Sequence, residues 1–226
     1  SGLLLGGCAL SSPQETPLPA NDTWLASSDD CCRDLSELPT TALGTRQEMT
    51  LAFGPRTPVH GFAEGKSPFH ALKLPRQSGP LKLSWVSEVQ RDDQGDLSLF
   101  APTLLLLDVH GNITRRFDWR DFTYQPARGL SRDRLTLSFG VTPGDSADRV
   151  VALTSQQALE TSTELIHPAR MYARARDLVE PKVKNPLAEH RASGEVELSV
   201  RPLGEDDGLL APLLGRQENT IVVPAP

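Results

Sequence analysis

The chain has 226 residues, 38% of them hydrophobic, with a formal net charge of -6. That length suits one large domain, since a single core grows efficiently up to roughly 250 residues. Its 19 prolines and 17 glycines imply many turns and short elements, which favours a β-sandwich over a helical bundle. Arginines and lysines are scattered on an acidic chain, so no continuous positive face is expected to displace counterions from phosphates, and nucleic acid is not an expected partner.

The N-terminus reads Ser1-Gly2-Leu3-Leu4-Leu5-Gly6-Gly7-Cys8, an apolar run closing on two small residues and a cysteine. A lipoprotein signal has this form: small residues thread the signal peptidase, and the thiol of Cys8 takes up the lipid. Ser1 is not an initiator methionine, so the precursor is expected to start upstream. Ala9 rather than aspartate follows the cysteine, which favours sorting to the outer membrane. The expected partner at this end is the membrane, reached through a lipid anchor, with the folded part in the periplasm. No other apolar run approaches the ~20 residues of a spanning helix.

Residues 1–8 are therefore the signal remnant and lipobox, and the polar, proline-containing stretch 9–27 is expected to be a tether. Ser28–Leu38 predicts a short helix with Ser28 or Asp29 as N-cap and Pro39 beyond its end. It holds Cys31 and Cys32, whose Cα atoms lie about 3.8 Å apart across a trans peptide, closer than ordinary disulfides allow. Two reduced or buried thiols, a vicinal disulfide and an intermolecular bond all remain open from the sequence.

Strands are predicted at 48–53, 69–74, 81–89, 97–109, 113–119, 135–141, 149–154 and 195–201. Leu81-Lys82-Leu83-Ser84-Trp85 and Glu195 to Val200 alternate cleanly, the pattern of antiparallel strands with one buried and one wet face. Leu104 to Leu107 is apolar on both faces and therefore central, and Asp108 to Asn112 supplies a hairpin turn. After Thr154 the period lengthens. Thr154-Ser155-Gln156-Gln157 fits a capping box for a helix through Leu165, and Pro168 opens a second towards Asp177. The expected fold is mainly β: an antiparallel, jelly-roll-like sandwich over 28–203, with a short N-terminal helix and a helical insertion at about 155–178 before the last strand. Residues 204–226 are expected to form a loosely packed C-terminal extension.

Catalytic signatures are absent. Gly61 to Ser67 has three residues between its glycines where a phosphate loop needs four, and a strand follows instead of a helix, so it is a turn. There is no G-x-S-x-G elbow, and His60, His70, His110, His167 and His190 show no metal-ligand spacing. No metal and no cofactor are expected. The acidic pairs Asp92–Asp93 and Asp206–Asp207 sit beside glycine as turn residues. One segment, Phe117 to Gln125, gathers groups that bind sugars: aromatic faces that pack on C–H surfaces and planar polar groups that meet hydroxyls. Its carbohydrate-binding candidates are Trp119, Phe122 and Tyr124 with Asp118 and Asp121. The competing reading puts Phe117 and Trp119, two apart, on one strand face in the core.

An ordered set of short matches resembles the maltose operon periplasmic protein family. It comprises Phe100-Ala101-Pro102, Leu106-Leu107-Asp108, Phe122 to Gln125, Asp133-Arg134-Leu135, His167 to Ala173, Asn185 to His190 and Pro212 to Gly215. The resemblance implies a periplasmic protein of maltose and maltodextrin uptake without enzymatic activity. It brings no binding residues, and the lipobox is a departure from it. Two functions follow as expectations. The first is an envelope interaction module that binds an outer-membrane porin or another envelope protein, with its aromatics buried. The alternative is an accessory carbohydrate-binding protein that holds maltodextrin itself on an exposed aromatic platform.

Overall fold

A computed structural model describes residues 22–76 and 79–204, together with the backbone of 220–222. Cys8, the lipobox, residues 9–21 of the expected tether and most of the C-terminal extension lie outside the described residues. The chain begins with helix α1 (Thr23–Ser27), followed by β1 (Thr40–Ala42), β2 (Gln47–Phe53), β3 (Val59–Phe62), β4 (Gly65–Pro68) and β5 (His70–Lys73). Next come β6 (Leu81–Glu88), β7 (Gln90–Arg91), β8 (Leu97–Leu99), β9 (Pro102–Leu107), β10 (Ile113–Phe117), β11 (Thr123–Gln125), β12 (Arg134–Val141) and β13 (Arg149–Thr154). Helix α2 (Gln156–Leu159), β14 (Ser162–Glu164), helix α3 (Pro168–Ala175), β15 (Leu187–His190), β16 (Gly194–Pro202) and β17 (Thr220–Val222) complete the order.

Two sheets face each other. One runs β1-β5-β13-β9-β10 and the other β11-β12-β6-β16-β2, with β17 beside β12. Most pairs are antiparallel; β1 with β5, β8 with β15 and β12 with β17 are parallel. A single apolar cluster fills the space between them, drawing Leu72, Leu104, Leu106 and Val150 from the first sheet and Leu83, Trp85, Phe139 and Val200 from the second. Side chains two apart on a strand share a face, so this cluster is the direct result of the alternation in β6 and β16. β9 and β13 are buried along their whole length because the far face of their sheet is covered too. There Leu105, Leu107, Val151 and Leu153 meet Leu38, Phe62 and Phe69. The result is the mainly β sandwich expected.

Several expected boundaries move, each for a tertiary reason. Residues 22–27, placed in the tether by composition, are docked: Leu25 packs with Val59, Leu159 and Ala192, and the buried Asp22 carboxylate accepts from Ala192 N at 2.9 Å. The helix expected over 28–38 shrinks to a 3-10 turn at Leu35–Glu37, capped by Asp34 rather than Ser28 or Asp29. Asp30 bridges to Val59, and Cys31 N donates to Val59 O at 2.8 Å, so the segment is held extended. Cys31 and Cys32 are joined to each other in a vicinal disulfide. The strand expected over 97–109 breaks at Phe100-Ala101. Pro102 has no N–H to give, and the two carbonyls accept instead from Ser87 Oγ and Thr154 Oγ1.

The helical insertion holds the expected helix from Pro168, as α3, but its first helix is cut short. α2 is one turn, capped by Ser155, whose Oγ accepts from Ala158 N at 3.1 Å. Thr154 is still in β13, and the chain expected to continue as helix to Leu165 pairs as β14 with β15. β14-β15-β8-β7 thus form a small third sheet beside the sandwich. Gly61 to Ser67 turns as expected, but only Ala63 and Glu64 form the tip; the flanking residues pair as β3 and β4. Gly65 has φ +110, and a Cβ there would stand 2.8 Å from Gln156 Cβ, so only glycine lets the hairpin seat on α2. At the β9–β10 hairpin Asp108 Oδ2 accepts from the Asn112 side-chain amide at 2.9 Å and its Oδ1 from His110 N and Asn112 N, both at 2.8 Å; these bonds, the Asn112 side-chain one first, hold its carboxyl below the ordinary range.

Candidate interaction surface

The five residues expected to bind sugar do not converge. Phe122 is a core residue, 6% exposed, and reaches no ligand. Asp118 and Asp121 close a capping box around the 3-10 turn Trp119–Asp121, in which Asp121 accepts from Asp118 N at 2.7 Å and Asp118 from Arg120 N at 3.2 Å. Trp119 is half-buried; its ring meets His190 edge-on at 4.9 Å, and the Arg120 guanidinium lies 4.8 Å above its face. That face is therefore already occupied. Phe117, its neighbour two residues back, stacks on Phe139 in the core. The platform dissolves because a short local sequence carries aromatics to three different environments.

Tyr124 has a different task. Its hydroxyl donates to Asp133 Oδ1 and accepts from Ile166 N at 3.0 Å, bolting β11 and β12 to the chain that leads into α3. Burial and the Asp133 carboxylate push its pKa up to about 12. Around this clamp two of the family-like segments meet. His167 N donates to Asn185 Oδ1 at 3.1 Å, Leu165 N donates to Pro186 O at 2.9 Å, and His167 Nδ1 caps α3 by accepting from Ala169 N.

Between this clamp, the β7–β8 pair and α3 runs a groove of about 570 Å³, with Val89, Leu97, Leu165, Ile166, Pro168, Met171 and Pro186 as its apolar wall and Arg91 and Arg132 also lining it. α3 itself is thinly packed, burying only Ala173. The return loop 176–184 is strapped to it by Glu180, which accepts from Arg170 at 2.8 Å and Arg174 at 2.6 Å. Those hydrogen bonds, the Arg174 one first, hold the Glu180 carboxyl down to about 2. Tyr172, Leu178, Val179 and Leu187 are exposed on and beside this element. The sequence singled out neither Leu178 nor Val179, and Tyr172 and Leu187 only as members of the family-like segments. The available signal was the stretch Arg170 to Lys184 itself, where cations alternate with apolar residues that complete no core-facing stripe.

A second concavity, about 450 Å³, crosses the outer face of the β12-β6-β16-β2 sheet. Its lining is mixed: Lys82, Ser84, Thr136, Glu197 and Ser199 alternate with core residues along their strands, and Met49 and Val86 stand among them. Arg201 spans to Glu48 at 3.0 Å and Arg134 to Gln125 at 3.1 Å. Among the described residues no group of His, Cys, Asp and Glu gathers as metal ligands would. Nor is any described helix long and apolar enough to cross a membrane.

His190, in β15, is buried against Trp119. Its ring is 1% exposed, with Nδ1 at 2.9 Å from Ala158 O and Nε2 at 2.8 Å from Thr163 Oγ1. Burial pushes its pKa below the ordinary value of 6.5. A depressed histidine pKa means the folded state binds fewer protons, so the stability is complete above pH 6.5 and declines as pH falls below it. The urea midpoint is expected to drop between pH 7 and pH 5.5, and His190→Gln should flatten that slope. An unchanged slope in the variant would show that His190 carries no such linkage.

The family described as "Maltose operon periplasmic protein precursor (MalM)" matches residues 64–200, more than half of the chain and the whole span from the β3–β4 turn to β16. The maltose operon periplasmic protein of Salmonella typhimurium is 30% identical over 185 residues, 81% of this chain and 58% of the relative. That of Escherichia coli is 32% identical over 150 residues, 66% of this chain and 48% of the relative. The chain thus spans about half the length of the curated relatives it matches. No solved structure matches it. By the extent of the family match and by the order of its segments, the chain belongs to the maltose operon periplasmic protein family.

Proposed function

We propose that this chain is a non-enzymatic periplasmic lipoprotein of the maltose system, anchored to the outer membrane through Cys8, that works as an envelope interaction module. The observation that carries the reading is the groove between the Tyr124 clamp and α3, apolar within and opened by a helix that buries a single residue. A segment of an envelope protein, such as a porin of maltodextrin uptake, fits such a groove because apolar anchors gain most where a pre-formed wall excludes water. The buried positions of Phe117 and Phe122 and the covered face of Trp119 also favour this reading over an aromatic sugar platform.

The second reading, direct holding of maltodextrin, draws support from the concavity on the sheet face, whose hydroxyls, carboxylates and guanidinium groups suit sugar hydroxyls. One pair of measurements separates the two. A photo-crosslinker at Met171 in the groove is expected to capture one envelope protein in cells, whether or not maltodextrin is present, while one at the exposed Arg56 captures none. Calorimetric titration with maltose to maltoheptaose is expected to give no heat. Heat at millimolar sugar without a Met171 crosslink would replace the first reading by the second.

A further inference from the structure

The outer side of α3 and its return loop carries a charge unlike the rest of the molecule. From Pro168 to Lys184 there are five cations, Arg170, Arg174, Arg176, Lys182 and Lys184, against Asp177 and Glu180, on a chain whose net charge is -6. Glu180 is occupied by Arg170 and Arg174. Arg176 lies over the Tyr172 ring, 4.8 Å from its centroid, which leaves the cation on the surface beside an aromatic body. Among these cations three apolar side chains stand out into solvent: Val179 is 96% exposed, Tyr172 56% and Leu178 55%.

We infer that this element is a second membrane contact, in which Tyr172, Leu178 and Val179 enter the headgroup region of an anionic phospholipid surface while Arg176, Lys182 and Lys184 meet its phosphates. It goes beyond the groove, whose lining includes none of these residues, and does not depend on a protein partner there. Charge complementarity selects the occupant. Protruding single apolar residues ringed by long cationic side chains are the pattern of an interfacial element: the apolar tips leave water, and each cation near an anionic surface adds about fivefold in affinity. A protein partner would call for a contiguous, well-packed apolar patch at the centre of a far larger interface. The contact would orient the domain on the membrane surface.

Flotation of this chain with Cys8→Ser, which takes no acyl anchor, tests this. Binding is expected to vesicles of phosphatidylglycerol and phosphatidylethanolamine and not to phosphatidylcholine, and to weaken as salt rises. Lys182→Gln with Lys184→Gln should lower that binding about 25-fold, and Val179→Asp should lower it as well. All three positions are exposed, so circular dichroism should be unchanged. Equal binding to both kinds of vesicle, or equal binding by the variants, overturns the proposal. A crosslink from Val179 to an envelope protein without vesicle binding also overturns it and assigns the surface to a protein. Met171→Gln, which perturbs the groove, is expected to leave flotation intact, so that failure of the groove and failure of the membrane contact are told apart.

Discussion

Asp148→Ala is expected to destabilise the fold by about 3–5 kcal/mol, because it strands a buried guanidinium. The Asp148 side chain is 1% exposed and directly precedes β13. Its Oδ2 accepts from Arg149 at 3.2 and 3.1 Å, and its Oδ1 from Arg76 at 3.2 and 3.0 Å, with Lys73 Nζ at 4.0 Å. Burial works to raise its pKa, but the hydrogen bonds from Arg76 and Arg149 outweigh it and hold the carboxyl below the ordinary range. The sign follows: a depressed carboxylate stabilises the fold above its unfolded pKa of about 3.9, and that contribution is lost as pH falls through the folded value. Arg149 also donates to Ser36 O at 3.2 Å, so the loss extends to the segment over the outer face of the sheet. Urea unfolding at neutral pH measures it. A loss under about 1 kcal/mol would place the cluster with ordinary surface pairs, such as Arg76–Asp145 at 3.9 Å.

Trp85→Ala is expected to cost about 3–5 kcal/mol, the range for deleting a large buried aromatic. Trp85 is fully buried in β6, with Leu137 and Leu198 opposite it on the flanking strands, so neighbours on both sides would face the cavity. Its Nε1 has no hydrogen-bond partner among the described residues. For that reason Trp85→Phe should be much milder, about 1–2 kcal/mol: the remaining cavity is smaller and the unpaired donor is gone. Comparable losses for both substitutions in thermal or urea unfolding would refute the account based on the unpaired indole.

Trp85 also shows what was legible beforehand. Its assignment to the core needed only Leu81, Leu83 and period two, and β13 was bounded to the residue because an apolar run ends between polar neighbours. The Asp108 hairpin was equally local, since the side chain that makes the turn lies within it. Residues 28–38 and 160–165 failed for the opposite reason. Their helical signals were real but short, and pairing of Asp30 with Val59 and of β14 with β15 outweighed one or two turns of helix.

The interaction surface belongs to the second kind. Sequence named Tyr124 and the aromatics around it, yet Tyr124 matters through Asp133, nine residues on, and through Ile166, forty-two residues on. Likewise the groove exists only because His167 meets Asn185 and because α3 lands beside β7 and β8 without packing on them. By itself the sequence determined the class of fold, the identity of the central strands and the family, since alternation and ordered motifs act over a few residues at a time. Tertiary structure alone decided which aromatics are spent on the core and which polar groups are already paired. It also decided which apolar side chains are left facing water, because these depend on contacts between segments far apart in the chain, whose closing cost no local pattern records.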